Sequence, residues 1–293
     1  MDLWFVFSNA IVLACIYGTL AIGVSITWSS LGLLNLAYGV IFAFAGYAAW
    51  VVSQQLSDWG PVLLATGILA GALGGIVVCA LAFIPTHDKP NFTIRGMIAT
   101  LAISLLGTQA LLWWFGPRAK TLPGVFGDWK VSLSGMVLTA DKVGNVLTSI
   151  LMLVAMLRWM QSSRRGLEIR AMMMNPHAAS IVGIGVRRTS FYVMAITGSM
   201  AGLAAVLLSQ TYYISPFGGL TPMIKGVSIA LCGGLGSVRG AVIAAMVLGL
   251  NESLTTVAIG GRYVLITQFV FIIAILLVRP RGIAGILDKA REA

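Results

Sequence analysis

The chain has 293 residues, of which 58% are hydrophobic and 10% are charged, and its mean hydropathy is +0.95. A soluble domain of this composition would leave most of its apolar surface in water, so the composition excludes that class and indicates an integral membrane protein. The net charge of +10 comes from basic residues in loops and tails beside apolar runs. Because cytoplasmic loops of membrane proteins are enriched in Lys and Arg, this charge reports orientation in the membrane, and we expect no nucleic-acid partner.

Residue types that carry chemistry are sparse. The three cysteines, Cys15, Cys79 and Cys232, lie in apolar runs without the spacing of a metal site, so we expect buried small side chains rather than disulfides or metal ligands. The two histidines, His87 and His177, are both predicted to lie in loops. The sequence has no GxSxG, HExxH or Walker A motif. We therefore expect no catalytic activity, no metal and no other cofactor.

Apolar runs near the length that crosses a bilayer, about 20 residues, recur along the chain. Six spans are predicted first: Leu3–Trp28, Leu31–Val52, Pro61–Ile84, Gly96–Phe115, Asn145–Met160 and Thr189–Tyr212. No basic region precedes the first run, which we interpret as a retained span and not a cleaved signal. The third is rich in glycine, which suits close helix contacts. The fifth is short but can extend at its start, and Gly116–Gly144 before it has the mixed composition of an ordered outer loop.

One polar interval, Arg164–Arg188, has many arginines and a single acid. Within it, Asn175 and Pro176 predict a helix start, because Asn caps free N–H groups and Pro fits the first helical position. Gly183 and Gly185 are candidates for a left-handed stop. The small and apolar side chains of this short helix are those of Ala178, Ala179, Ile181 and Val182. The helix is a candidate for docking into another protein, and the alternative is that it lies on the lipid headgroups.

Charge also predicts the orientation of the chain. The arginine-rich interval is placed in the cytoplasm, which puts the N-terminus and Tyr213–Thr221 outside. The C-terminal tail, with Arg279, Arg281, Lys289 and Arg291, is placed inside. Two uninterrupted helices between these points would give the wrong parity. We therefore predict a break at Gly233–Ser237, so that Pro222–Cys232 runs inward as a half-helix, Ala241–Leu254 returns outward and Tyr263–Val278 comes back in.

A half-helix of about eleven residues reaches only about 16 Å, roughly half of the hydrocarbon core. Its polar ends must be buried in protein or line a wet cavity, as in the broken helices that form transport sites. The alternative is that Gly233, Gly234 and Gly236 only permit tight packing. Asn35 is a second polar interruption in a span, and we expect it to share one narrow, mostly apolar cavity with the Gly233–Gly234 turn.

Lys225 and Glu252 are charged residues within these last apolar segments. A carboxylate inside a span is a candidate functional group. Both residues are predicted near the outer side of the membrane. One interpretation is a structural Lys225–Glu252 ion pair, and the other is a direct contact between Glu252 and substrate.

Four segments occur in a specific order along nearly the whole chain. They are GLLNLAYG at 32–39 followed by AGYAAW at 45–50, RGLEIRAMMMNPHAASIVGI at 165–184, LCGGLGSVRGAVIAAMVLGLNE at 231–252, and LLVRPRGIAG at 276–285. Together they resemble the signatures of the permease subunits of branched-chain amino-acid ABC importers. In that family the segment matched by 165–184 docks into the ATPase subunit.

The resemblance implies an all-α, polytopic transmembrane bundle with discontinuous helices, the ABC importer permease fold, in a bacterial inner membrane. One domain would cover residues 1–293, with a cytoplasmic coupling segment at 164–188. The implied partners are a second, related permease in a heterodimer, two cytoplasmic ATP-binding subunits that hydrolyse ATP, and a periplasmic substrate-binding protein. The implied function is alternating-access import of a branched-chain or other amino acid. Urea, short amides or small carboxylates are alternative substrates, and an ATP-independent secondary transporter or channel is the alternative from another class.

Two sets of site residues follow from the resemblance and the patterns above. The substrate pathway is expected to include Asn35, Tyr38, Gly39, Gly233, Gly234, Gly236 and Ser237. Coupling to the ATPase is expected to involve Gly166, Glu168, Arg170, Ala171, Asn175, Pro176, Ala178, Ala179, Gly183 and Ile184.

Overall fold

The computed structural model describes residues 3–127, 129–133, 136–279 and 282–283. Its helices are α1 (Leu3–Leu31), α2 (Tyr38–Gln55), α3 (Gly60–Val78), α4 (Ile84–His87), α5 (Phe92–Phe115), α6 (Ala140–Ser162), α7 (Arg164–Met174), α8 (Pro176–Ile181), α9 (Val186–Ser209), α10 (Leu220–Gly233), α11 (Val238–Ala258) and α12 (Val264–Val278). A π-helical turn, Cys79–Phe83, joins α3 to α4, and a 3-10 turn, Gly261–Tyr263, precedes α12. Strands β1 (Lys130–Leu133) and β2 (Met136–Thr139) form an antiparallel hairpin in which Lys130 pairs with Thr139.

Seven helices in the described part of the chain are long and apolar enough to cross a membrane. They are Val6–Leu31, Gly60–His87, Phe92–Phe115, Ala140–Ser162, Val186–Ser209, Val238–Ala258 and Gly261–Val278. Helix α10 is apolar but shorter. The predicted helical membrane bundle is thereby confirmed, and the protein is a multi-pass membrane protein. The small hairpin in the Gly116–Gly144 loop was not predicted.

The predicted second span was wrong at its start. Gly32 adopts φ +71°, which ends α1, and an irregular segment, residues 32–37, leads to α2 at Tyr38. Asn35 therefore lies before α2 and not within it. Its side-chain Oδ1 accepts the Ala37 N–H at 3.0 Å, a local bond that competes with helical hydrogen bonding at this point.

Helices α1 and α9 form the interior of the bundle, while α5 and α12 are mostly exposed. Glycines bring α3 against α9, as the composition of the third span predicts. A Cβ atom added to Gly71 would overlap the carbonyl oxygen of Gly198, and one added to Gly67 would lie 2.9 Å from that of Gly202. The two backbones are therefore in direct contact, the arrangement that small residues permit in membranes.

The third span also contains an irregularity that periodicity did not predict. Pro85 follows the π-helical turn, in which the Ile84 N–H bonds to the Cys79 carbonyl. Proline has no N–H and its ring clashes with the carbonyl four residues earlier. A π turn just before it shifts the hydrogen-bond register, so the helix continues to His87.

The predicted outer loop, Gly116–Gly144, is bonded to a second loop through the described residue Lys120. The Lys120 N–H donates to the Ile214 carbonyl at 2.8 Å and the Ile214 N–H donates back at 2.9 Å. The Lys120 ammonium also lies 4.9 Å from the ring centre of Trp50 at the end of α2. These contacts place the loops after α5 and α9 on the same side of the bundle. Helix α6 begins at Ala140, so the fifth span does extend at its start.

The Arg164–Arg188 interval contains two helices, of which only the second was predicted. Helix α8 begins at Pro176, and Asn175 Oδ1 accepts the N–H groups of His177 and Ala178 at 3.0 and 3.1 Å, which confirms the predicted cap. Gly183 has φ +88°, which confirms the left-handed stop. The same role for Gly185 was wrong: its φ is −72°, and it precedes the first residue of α9.

Helix α7 was not predicted, although its start carries a cap. Ser163 Oγ accepts the Gly166 N–H at 2.9 Å, and the Arg165 guanidinium bonds to the Glu168 carboxylate at 2.7 Å one turn later. A serine cap and an i,i+3 ion pair are both helix signals. These two signals were not recognised, because the strong positive charge of the interval dominated its interpretation.

The predicted break in the C-terminal third is present. Helix α10 ends at Gly233, Gly234 and Gly236 both have φ +93°, and Ser237 Oγ caps α11 by accepting the Gly240 N–H at 3.0 Å. Helix α10 has 14 residues rather than the predicted eleven. At 1.5 Å per residue it is about 21 Å long, still shorter than the hydrocarbon core.

The C-terminal tail lies mostly outside the described residues. Arg281, Lys289 and Arg291, which carry the prediction of a cytoplasmic C-terminus, are among those not described. Asp128, in the outer loop, is another. Ile283 is described, and its N–H donates to the Cys232 carbonyl at 2.8 Å, which brings the chain after α12 to the end of α10.

Candidate functional site: a charged pair beside a cavity

A cavity of about 510 Å³ lies where the start of α10 meets the ends of α9 and α11. Its walls combine aromatic, aliphatic and hydroxyl side chains with one pair of opposite charges. The lining residues are Tyr17, Phe42, Leu208, Ser209, Tyr212, Tyr213, Gly218, Thr221, Pro222, Lys225, Glu252, Thr256, Gly261, Val264 and Leu265. The cavity is on the side of the bundle that charge predicts to be outside.

The charged pair is Lys225 and Glu252, whose Nζ and Oε1 atoms are 2.6 Å apart. Each residue is only 5% exposed. Tyr17 joins them: its hydroxyl accepts a hydrogen bond from Lys225 Nζ at 3.0 Å and donates one to Glu252 Oε1 at 3.4 Å. The predicted ion pair is confirmed. The structure adds that the pair is on a cavity wall and has a tyrosine as third member.

Close helix contacts bring these three residues together. Helix α11 lies antiparallel to α1, where Gly249 meets the backbone of Ala10 and Ala14. Nearer its end, Ser253 Oγ donates to the Val6 carbonyl at 2.7 Å. These contacts place Glu252 beside Tyr17, and Gly226 packs against Leu20 in the same way to place Lys225. Without side chains, the glycines allow the helices to approach closely enough for the polar groups to bond.

The pathway residues at the start of α2 pack against α9 and α10. Asn35 Nδ2 is 3.7 Å from Met194 Sδ, and the Tyr38 hydroxyl donates to the Thr197 carbonyl at 3.0 Å. A Cβ atom on Gly39 would lie 2.9 Å from the carbonyl oxygen of Gly219, which precedes α10. The starts of two interrupted helices, α2 and α10, therefore meet inside the bundle.

The glycine turn between α10 and α11 packs against α1. The Gly236 N–H donates to Ser25 Oγ at 2.8 Å, and a Cβ atom on Gly236 would lie 2.9 Å from Ser29 Oγ. A Cβ atom on Gly233 would lie 2.5 Å from the backbone of Gly240. The turn and Asn35 thus contact different partners, and neither is among the described residues that line the cavity of about 510 Å³. A cavity shared by Asn35 and the turn stays a prediction.

The predicted coupling residues differ in exposure. Ala178 is exposed, as are Ile181 and Val182 of the predicted apolar face, at 74% and 76%, and the neighbouring Met174. Ala179 and Gly166, by contrast, are buried within the chain. The apolar face predicted for α8 is therefore narrower than the sequence suggested, because Ala179 points inward. Of the remaining predicted residues, Asn175 and Gly183 are exposed, and Glu168, Arg170, Ala171, Pro176 and Ile184 are half-buried.

Ion pairs connect elements at the end of the bundle where α7 and α8 lie. Arg187, in the first turn of α9, pairs with Asp88 in the loop after α4, and His87 Nδ1 lies 2.8 Å from the same carboxylate. Hydrogen bonds from His87 and Arg187 lower the pKa of Asp88. In α7, the hydrogen bond to Glu168 raises the pKa of Arg165, whose guanidinium also lies 5.2 Å from the ring centre of Tyr192. These contacts link the loop after α4, and helix α7, to the first two turns of α9.

Of the residues that line the cavity, only Lys225 and Glu252 were identified from the sequence, and Tyr17 is the most consequential of those that were not. Tyr17 is an isolated tyrosine in an apolar span, and a polar hydroxyl in a span requires a partner. That signal pointed to some polar neighbour, but the identity of the neighbour depends on the crossing of α1, α10 and α11.

The comparisons with known proteins agree with this architecture. A family described as "Branched-chain amino acid transport system / permease component" matches residues 6–278. The high-affinity branched-chain amino acid transport system permease protein LivH of Escherichia coli K12 is 29% identical over 295 aligned residues, 94% of each chain. The guanosine ABC transporter permease protein NupP of Bacillus subtilis is 35% identical over 64% of this chain and 55% of its own.

Among solved structures, PsaBC from Streptococcus pneumoniae in complex with Fab matches with a TM-score of 0.54 and 12% identity, over 93% of this chain and 91% of that chain. At that identity the likeness concerns the fold alone. The family match, by contrast, extends over nearly the whole chain. The chain therefore belongs to the permease-component family of branched-chain amino acid transport systems, as a transport subunit of an ABC importer and not an enzyme.

Proposed function

We propose that the chain imports an amino acid with an aliphatic side chain by alternating access, driven by ATP hydrolysis in its partner subunits. The family match over residues 6–278 carries the proposal. The site supports it, because the cavity has aliphatic and aromatic walls and one compact pair of opposite charges. A purely polar solute such as urea has no apolar group that could contact these walls.

The proposed assembly contains a second, related permease in a heterodimer, two cytoplasmic ATP-binding subunits and a periplasmic substrate-binding protein, in a bacterial inner membrane. The exposed apolar side chains of Met174, Ala178, Ile181 and Val182 would contact an ATPase subunit. Ala179 and Gly166 would support that surface from inside. The alternative for this surface is contact with lipid headgroups.

The proposed path begins in the cavity and continues inward between α1, α2 and α10. Asn35, Tyr38 and Gly39 border it on one side and the turn Gly233–Ser237 closes it at the inner end. All of these positions are packed in the conformation described above, so the path would open only when the helices move. In an ABC importer such a movement is biased by the binding protein outside and by the ATPases inside.

The proposed orientation has the N-terminus outside and the C-terminus in the cytoplasm. Single cysteines at Asp58 and Ser162, both exposed, test it in a background without the native cysteines. An impermeant thiol reagent should label the cysteine at position 58 only from outside and the one at position 162 only from the cytoplasm. The reverse pattern would refute the orientation.

Uptake is the test of the function. The permease would be expressed together with the proposed partner ATPases, second permease and binding protein, and the assembly would be reconstituted in liposomes. ATP-dependent accumulation of L-leucine, L-isoleucine or L-valine is the expected result. Accumulation of guanosine or urea with no amino-acid uptake would replace this substrate, and uptake without ATP would replace the mechanism by secondary transport.

A further inference from the structure

The Lys225–Glu252 pair is poorly explained as a device for stability. Removing two charges from water is costly, and replacing a buried pair by apolar side chains of similar size is often neutral or stabilising. Both residues are 5% exposed, in a segment where apolar side chains would avoid the cost of desolvating charges. A pair retained in such a place calls for a function beyond holding α10 to α11.

The hydrogen bonds of the pair leave capacity for a ligand. Lys225 Nζ and the Tyr17 hydroxyl both donate to Oε1 of Glu252, and Oε2 takes part in neither bond. Lys225 Nζ has three N–H donors, of which Glu252 and Tyr17 receive two. One anionic acceptor and one cationic donor therefore remain beside each other on the cavity wall.

The shape and lining of the cavity select among ligands. Its volume, about 510 Å³, is within the range of small-molecule sites. Phe42, Leu208 and Val264 offer an apolar wall, while Ser209 and Thr221 add hydroxyls. Lys225 lies in the second turn of α10, whose start has no side-chain cap, so the helix dipole adds positive potential on the side of Lys225.

We propose that Lys225 and Glu252 form a transit site for the head group of a zwitterionic amino acid, with Lys225 binding its carboxylate and Glu252 its ammonium. Phe42, Leu208 and Val264 receive its aliphatic side chain. This inference rests on the proposed function and deepens it by assigning the substrate class to this site. A ligand with only one charge satisfies half of the pair, and an uncharged sugar or nucleoside satisfies neither half.

The test uses the purified permease–ATPase complex without the binding protein, so that binding to the permease is measured directly. Tritiated L-leucine is the probe, and two competitors lack one charge each: 3-methylbutan-1-amine and 4-methylpentanoate. The expected result is weak, saturable leucine binding with competition by the single-charge analogues at least tenfold weaker. No detectable leucine binding in a complex that takes up leucine with its binding protein would overturn the site and leave the proposed function intact.

Three variants separate a binding role from a structural one: Lys225→Met, Glu252→Gln, and the charge exchange Lys225→Glu with Glu252→Lys. Assembly is checked by co-purification of the ATPases and by their basal activity. Because the aliphatic wall fixes the orientation of the ligand, the exchanged pair should restore assembly but leave leucine binding at least tenfold weaker. Normal leucine binding by the exchanged pair, or by an assembled single variant, would overturn the proposal.

Absence of ATP-driven uptake of any amino acid by the intact system would instead refute the proposed function. In that case the transit site would fail with it. The binding assay and the uptake assay thus identify which of the two proposals is wrong.

Discussion

The two ends of α10 provide hydrogen-bond partners for buried polar groups in different ways. At its start, beside the cavity, Lys225, Glu252 and Tyr17 satisfy one another through hydrogen bonds next to open space. At its other end, the turn Gly233–Ser237 packs against the side chains of Ser25 and Ser29 in α1, and the Gly236 N–H donates to Ser25 Oγ. Each end places polar groups within the bundle, and each group finds a partner in another helix, as a low-dielectric interior requires.

The difference indicates where a ligand can bind. The turn has little room: an added Cβ atom at Gly233 or Gly236 would collide with neighbouring atoms. The start of α10 has both volume and charge. The difference supports the proposed recognition site at the start of the helix and a proposed moving part at its end, where glycines permit backbone conformations that other residues adopt with difficulty.

The largest expected effect comes from Gly234→Leu. Gly234 has φ +93°, a region where other residues incur about 1–3 kcal/mol of strain. We expect the variant to assemble with the ATPases but to lose uptake. The matched control is Gly124→Leu, in the outer loop at an ordinary φ, where the nearest atom to an added Cβ is 3.9 Å away. Normal uptake by Gly234→Leu would show that the turn is not a moving part, and loss of assembly would make it a packing element only.

The next largest effect is expected from substitutions of the charged pair at the start of α10. Lys225→Met leaves Glu252 as an unpaired buried charge, which costs about 3–5 kcal/mol of stability. Adding Glu252→Leu removes that charge and should restore most of the stability without restoring uptake. Thermal unfolding of the purified complex, followed by size-exclusion chromatography, measures both variants. A double variant no more stable than the single one would contradict the argument.

A smaller effect is expected at the exposed face of α8. Ile181→Asp with Val182→Asp should leave the permease in the membrane but weaken co-purification of the ATPases and lower uptake several-fold, because it puts charge where apolar contact is proposed. Leu56→Asp is the control, since Leu56 is 77% exposed and lies beyond the end of α2, on the side predicted to be outside. Equal ATPase recovery from both would favour a helix that rests on lipid.

The smallest effect concerns Asp88 and its pH dependence. Its pKa is lowered in the folded protein by hydrogen bonds from His87 and Arg187. The contact therefore stabilises the folded protein at pH values above the ordinary carboxyl pKa. This stabilisation is lost as the pH falls through the lower pKa that Asp88 has in the folded protein. Asp88→Asn should increase proteolysis of the following loop, residues 88–91, slightly at pH 7. The difference from the unmodified chain should vanish in strong acid, and a difference that persists there would contradict the assignment.

Much of the fold could be predicted because its signals are local. Span length depends on apolar content, the start of α8 on Asn175 and Pro176, and the break after α10 on glycines that the membrane parity required. The cap and the glycines act within one or two helical turns, and the apolar content acts within a single span. The start of α2 was misjudged because Asn35, which sits in an apolar run, forms a local bond to the Ala37 N–H instead of joining the helix.

What the sequence by itself determined is the class of protein, the start of α8, the break after α10 and the presence of two opposite charges in the last apolar segments. Only the tertiary structure decided which groups meet. Tyr17 is 208 residues from Lys225 and 235 from Glu252, and Ala179 faces inward while Ile181 faces out. The physical reason is that helix ends depend on neighbouring residues, whereas contacts between helices depend on crossings set by packing along their whole length.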